Sequence, residues 1–252
     1  MPGVVHVAGA DLAWWGRGEG PAVLLVHGMA DRAAGWDPIV ARLSAGGVWA
    51  IAYDRRGYGG SSAPDTYERT TVAEQAEDAA MLLAGLDAPP VVAVGRDLGA
   101  LVALDLAKRH RDLVTGVVAI DPPLFAFSPA ATEVLGAERI ALEEALRDSG
   151  PAAAVRAWLG ARIAEPAGEG RLARAGEDHG AFFADFGGLA TWPVGRRELR
   201  ALDVPLAVLL ADRAPRHVRE AAEALADLVP GAELGPEADL VPAIRRLAGV
   251  AG

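Results

Sequence analysis

Two kinds of apolar pattern alternate along this chain. "VVHV" and "ADLAWW" alternate or run apolar around short turns, and "AVLLVH" is apolar almost without a break into Gly28. "WAIAYD", "VVAV", "GVVAI" and "VPLAVLL" repeat the type, and each predicts a strand. Unbroken apolar strands are those buried on both faces, as in a parallel sheet covered by helices. Between them lie "WDPIVARLSAGG", "TTVAEQAEDAAMLLAGL", Leu98 to His110, "HVREAAEALADLV" and "LVPAIRRLAG", which carry helical spacing. The Thr pair before the second of these predicts a side-chain N-cap. Strands alternating with helices predict an α/β domain built on a doubly wound, mostly parallel sheet.

The alternation stops between about Leu124 and Arg200, a stretch rich in Ala, Glu and Arg with helical spacing and no good strand. The expected organisation is therefore a core domain of residues 1–123 and 201–252, with residues 124–200 inserted as a helical cap. At 252 residues the chain is long enough for that arrangement.

Composition narrows the chemistry. A net charge of −10 argues against a nucleic-acid or anionic-membrane surface. With no cysteine there is no disulfide, thiolate metal site or Cys nucleophile. No apolar run reaches the ~18 residues of a membrane span, and the first residues lack the pattern of a signal peptide. The expected setting is the cytoplasm and the expected partner a small apolar molecule, with a homodimer left open. No metal-ligand spacing and no phosphate- or dinucleotide-binding loop is found, so no cofactor or metal is expected.

One stretch concentrates chemical potential. "AVGRDLGALVAL" runs from a strand through a tight Gly-Arg-Asp-Leu-Gly turn into a helix. Such a turn holds its central residue, Asp97, at strained backbone angles, and needs small residues two before and two after it. Gly95 and Gly99 meet that need. The turn falls at the carboxyl end of a strand, where open α/β sheets place their sites, and the helix amides point at it.

Two further segments set this turn in context. "LLVHGMADRAAGW" resembles the strand-His-Gly loop of the α/β-hydrolase superfamily, and "YDRRGYGGSS" resembles its Asp-x-Arg-Gly-x-Gly-x-Ser segment. The resemblance covers nearly the whole chain. It implies an oxyanion hole from the backbone N–H groups of Met29 and Leu98. An Asp at the elbow centre is similar to epoxide hydrolases and haloalkane dehalogenases, which implies attack by Asp97 on an epoxide or alkyl-halide carbon to form an ester. The family's His precedes the last helix, and there this sequence has Asp239. The family's acid position after "LAVLL" falls on Ala214, with Asp212 two residues away, and Asp121 occupies a second placement used by some relatives. The tyrosines Tyr53, Tyr58 and Tyr67 all precede the cap, where epoxide hydrolases carry theirs.

The candidate catalytic residues are therefore Asp97, Asp121 and Asp239. Candidates for a pocket lining are His27, Trp36, His179, Phe182, Phe183 and Trp192, with Phe186 in the same cluster. His217 is expected to be exposed at the start of a helix, and His110 to end one. Three functions remain open: an epoxide-hydrolase-like enzyme with Asp97 as nucleophile, a non-hydrolytic acid/base enzyme (isomerase, lyase or cyclase) using Asp97 and Asp121, and a binding protein whose catalysis has decayed.

Overall fold

A computed structural model describes residues 2–162, 168–188 and 192–250. Eight strands form one sheet: β1 (Pro2–Val7), β2 (Ala10–Arg17), β3 (Ala22–Val26), β4 (Trp49–Tyr53), β5 (Val91–Arg96), β6 (Val114–Ile120), β7 (Leu206–Leu210) and β8 (Glu233–Pro236). Their order is β1-β2-β4-β3-β5-β6-β7-β8. The β1–β2 hairpin is antiparallel and joins β4 antiparallel, and every pair from β4 through β8 is parallel.

The unbroken apolar strands divide their side chains between two cores, as a two-residue period requires. Leu24, Val26, Ile51, Ala93, Val117 and Val208 face one layer. Val23, Leu25, Ala50, Val92, Val118 and Leu209 face the other. The first layer is covered by α2 (Val72–Gly85), α3 (Leu98–Arg109) and α9 (Arg216–Leu228), and the second by α1 (Asp37–Ala45) and α10 (Leu240–Leu247). The Thr71 hydroxyl accepts from the Glu74 N–H at 3.1 Å and so caps α2. Helix α3 is buried from Leu98 through Ala107, because more than the sheet covers it.

The additional cover is a helical insertion between β6 and β7. It comprises α4 (Ala131–Ser149), α5 (Pro151–Arg162), α6 (Glu169–Glu177), α7 (His179–Gly188) and α8 (Arg196–Arg200). No strand occurs there among the described residues, in keeping with the helical spacing of that stretch. Asp178, after α6, receives Arg32 at 2.6 and 2.8 Å, and Asp185 of α7 lies against Arg55 and Tyr58. The insertion is thus tied to the loops that follow β3 and β4.

Three neighbouring strands, β3, β5 and β6, are followed at their carboxyl ends by residues with a left-handed backbone: Ala30 at φ 53°, Asp97 at 52° and Asp121 at 47°. For non-glycine residues this conformation costs about 1–3 kcal/mol each, and it persists only where surroundings enforce it. The enforcement at the elbow is steric. A Cβ on Gly95 would lie 2.0 Å from the Gly99 carbonyl oxygen, and one on Gly99 would lie 2.3 Å from that of Val26. The strand, the turn and the helix therefore approach closer than any side chain allows. Gly99→Ala should lower stability by about 1–3 kcal/mol or more. The thermal midpoint would fall by about 2–4 °C for each kcal/mol, as differential scanning calorimetry would record.

Candidate active site

Asp97 sits between β5 and α3 with its backbone N–H bonded to the Ile120 carbonyl at 2.9 Å. Its Oδ2 accepts the Met29 N–H at 3.0 Å, and the Leu98 N–H also holds the carboxylate. The two amides that the family resemblance assigns to an oxyanion hole thus converge on Asp97 itself. Among the described residues no side chain hydrogen-bonds to it. Burial raises its proton affinity above the ordinary carboxylate range, opposed by the Met29 amide, the Arg162 charge, the Leu98 amide and the Arg55 charge.

Asp121 stands at the end of the adjacent strand. Its Oδ1 accepts the Ala211 N–H at 3.0 Å. Its proton affinity is also raised, first by burial and then by the negative charges of Glu237 and Asp97, against the Ala211 amide and Arg96. The elbow therefore presents two carboxylates whose charges oppose each other.

The residue directly before the last helix is Asp239, in place of a histidine. Asp239 is exposed, and it lines a surface depression with Glu233 and Arg246 at the sheet edge. Glu237 is the residue that β8 delivers to the site, where it forms an ion pair with Arg96, the residue before Asp97. The guanidinium of Arg96 lies 5.7 Å from the centre of the Trp36 ring. Trp36 is buried among the residues covering the opposite face of the sheet and supports Arg96 from below.

His27 is buried beneath the loop. Its Nε2 accepts the Arg55 N–H at 2.9 Å and its Nδ1 donates to the Gly28 carbonyl at 2.8 Å. These bonds fix a neutral imidazole, and its pKa falls well below the usual value through burial and the charge of Arg55. Arg55 itself donates from Nε to the His27 carbonyl at 2.9 Å and from Nη2 to the Gly28 carbonyl at 3.0 Å. It pairs with fully buried Asp185 at 2.7 and 3.1 Å, and Asp185 also accepts Tyr58 and Gln75 at 2.7 Å each. The loop that supplies the Met29 amide is thus clamped by a buried guanidinium. Asp54 of the same motif accepts the Ala33 and Gly60 N–H groups at 2.8 and 2.9 Å.

A cavity of about 580 Å³ opens between α3 and the insertion. Its walls include Leu101, Leu124, Phe125, Phe127, Phe186 and Trp192. Asp97 does not line it, but Leu101 lies one turn along α3 from the elbow and Leu124 three residues beyond Asp121. Its size falls within the ~300–1,000 Å³ of ligand pockets. Trp192 turns its indole N–H to buried Asp105 at 2.8 Å, which leaves the ring as wall. Of the other aromatic candidates, Phe182 is fully buried, with Phe183 edge-on against it at 5.3 Å. His179, at the start of α7, bonds the Gly176 carbonyl of α6 at 3.0 Å. His217, expected at the surface, is buried against Phe125 at 5.7 Å. Asp212 is exposed. His110 meets Glu77 at 3.0 Å at the end of α3. Among the described residues, no group of three or more His, Asp or Glu side chains could hold a metal ion.

Sheet order, strained elbow and paired amides together define an α/β-hydrolase architecture. The family described as "Alpha/beta hydrolase family" matches residues 23–249, and the chain belongs to it. Epoxide hydrolase A of Mycobacterium tuberculosis is 35% identical over 108 residues, which are 43% of this chain and 34% of that one. A 2-(acetamidomethylene)succinate hydrolase of Mesorhizobium japonicum is 39% identical over 106 residues, 42% of this chain and 37% of that one. The chain thus spans little more than a third of the length of these two curated relatives. The enol-lactonase structure from Burkholderia xenovorans LB400 superposes with a TM-score of 0.74 at 22% identity, covering 98% of each chain, and shows the shared fold. Among the described residues no helix is long and apolar enough to cross a membrane.

Two outcomes follow from the buried charges. Replacing Arg55 with Met leaves Asp185 buried without its cation, at a cost of about 3–5 kcal/mol, which urea titration would measure. For Asp97 the folded pKa lies above the unfolded one, so its ionisation opposes folding above that range and the penalty vanishes below the unfolded pKa. Asp97→Asn should therefore be more stable than the wild type at neutral pH. The gain should disappear as the pH falls toward the ordinary carboxylate range, and a pH series of unfolding midpoints checks the sign.

Proposed function

We propose that this protein is an epoxide-hydrolase-like enzyme. In this reading Asp97 is the nucleophile, residues 124–200 form the cap, and an apolar substrate occupies the cavity between cap and α3. The observation that carries the reading is the pair of backbone amides on the Asp97 carboxylate, with no side-chain donor competing for it. One oxygen is held, and the other can attack a carbon that bears an epoxide oxygen or a halide. The new bond makes an ester whose carbonyl oxygen is the one already resting on Met29. When water adds to that ester, the negative charge develops where preorganised N–H donors await it. The likeness of the matched segment to a protein named epoxide hydrolase A supports the same chemistry.

The second step needs a base, and the C-terminal position offers Glu237 in place of histidine. Asp121, whose proton affinity burial raises, is the better acceptor for the proton of that water. A carboxylate is a weaker base than imidazole, so ester breakdown is the slow step. A specific observation favours a second reading. Burial raises the proton affinity of both Asp97 and Asp121, and the charge of Asp97 raises that of Asp121 further, as suits an acid/base pair in an isomerase, lyase or cyclase step.

Incubation with a small epoxide or alkyl halide should add the mass of the reagent to the intact protein, and peptide mapping should place it on Asp97. Asp97→Ala should abolish the adduct. Failure to label across a broad panel of epoxides and halides would overturn the nucleophile reading in favour of the acid/base one. Hydrolysis of short-chain p-nitrophenyl esters should be negligible, because the elbow offers no hydroxyl and no histidine activates it. Robust turnover abolished by Asp97→Ala would contradict this.

A further inference from the structure

The cavity between α3 and the insertion is uneven in its chemistry. Phe125, Phe127, Phe186 and Trp192 line it with rings. Helix α4 adds Ala131, Thr132, Leu135 and Arg139, spaced so that they share one face. Thr132 and Arg139 are the polar side chains among the described lining residues, and no Asp or Glu is among them. In a chain with 34 acidic and 24 basic residues, a lining that holds a cation and no carboxylate runs against the overall charge.

The Arg139 side chain is 72% exposed although it lines the cavity, which sets it at the mouth. Its Nε donates to Glu143 at 2.7 Å, one turn further along α4. An exposed pair of this kind is weak, so Glu143 does little to hold off another anion. The terminal nitrogens of Arg139 meet no acceptor among the described residues, and they carry four N–H donors in a flat fork. A second guanidinium, that of Arg196 in α8, lies 5.5 Å from the centre of the Phe127 ring, part of the same wall. Arg196 is exposed and forms no ion pair among the described residues.

We propose that the cavity takes amphipathic carboxylic acids, with an apolar body among the rings and the carboxylate held at the mouth by Arg139. The inference rests on the cavity being the substrate site and names the substrate class for it, whichever role Asp97 plays. Apolar walls alone do not orient a molecule, whereas a planar guanidinium fixes a carboxylate through two parallel hydrogen bonds. The acid group stays at the mouth because an unpaired carboxylate would lose its water among the rings. Arg196 adds positive potential beside Phe127. The end of the molecule remote from the acid therefore enters first, toward Leu101 and Pro123, the lining residues nearest in sequence to Asp97 and Asp121. The reacting carbon belongs to that apolar end.

The test is isothermal titration calorimetry with 4-phenylbutyrate and 4-phenylbutyramide, which share a body and differ in charge. The wild type should bind the acid about tenfold more tightly than the amide at low salt. Added sodium chloride should shrink that preference. Arg139→Gln should weaken the acid about tenfold and leave the amide within about threefold of wild type. Arg139→Lys should keep part of the preference, because the charge remains and the fork is lost. Leu135→Trp, which fills the cavity from α4, should weaken both probes, and circular dichroism should show all three variants folded. Equal affinity of the wild type for acid and amide, or an acid affinity unmoved in Arg139→Gln, would overturn the carboxylate class and leave the cavity as an apolar site. Binding untouched by Leu135→Trp would place the probes elsewhere and overturn the inference. Absence of binding by either probe would overturn the cavity as the substrate site, and this inference with it.

Discussion

The buried guanidinium of Arg55 is the contact on which the site depends. It binds two successive carbonyls of the loop after β3, the carboxylate of Asp185 on the insertion, and, through its own backbone N–H, the imidazole of His27. A charge taken out of water at such depth is tolerable only when every donor finds an acceptor and an opposite charge lies at hand. That requirement fixes the path of the loop, and the loop fixes where the Met29 N–H points. The same pair holds α7 of the insertion down on the core. The position of the Met29 amide and the seating of the insertion are thus one arrangement.

The second constraint is close packing at the elbow. Gly28 would bring a Cβ within 2.9 Å of that of Asp97, in the same way that Gly95 and Gly99 leave no room for a side chain. Left-handed backbone at Ala30, Asp97 and Asp121 sets three side-by-side strand ends at the one place where the sheet, α3 and the insertion meet. The conformational cost is borne by a core that is otherwise regular, with apolar strands buried on both faces.

Most of the sheet could be read from the sequence, because two-sided burial leaves unbroken apolar runs and a helix leaves a periodic one. The elbow could be read as well, since close backbone approach demands glycine at set offsets. Long-range pairing could not. Asp239 stands at the expected word in "GPEADL", yet β8 ends at Pro236 and delivers Glu237 instead, a shift of two residues that only the strand's register decides. Trp36 reads as a pocket aromatic, but the short helical turn before α1 carries it under Arg96. His217 reads as a surface residue at a helix start, and packing of Phe125 over it buries the ring.

The Arg96–Glu237 pair joins residues 141 positions apart, and Arg55–Asp185 joins residues 130 apart. Contacts of such separation close late, because the entropy of the intervening chain is surrendered before they contribute. A chain emerging in order has its elbow glycines, α3 and the strands through β7 before Glu237 exists. Until β8 docks, the residue before Asp97 has a buried face against Trp36 but lacks its ion-pair partner Glu237. The geometry of the candidate site is therefore among the last features to mature during synthesis. A folding intermediate with an intact sheet centre and an unpaired Arg96 would be compact, native-like in secondary structure, and without a finished site.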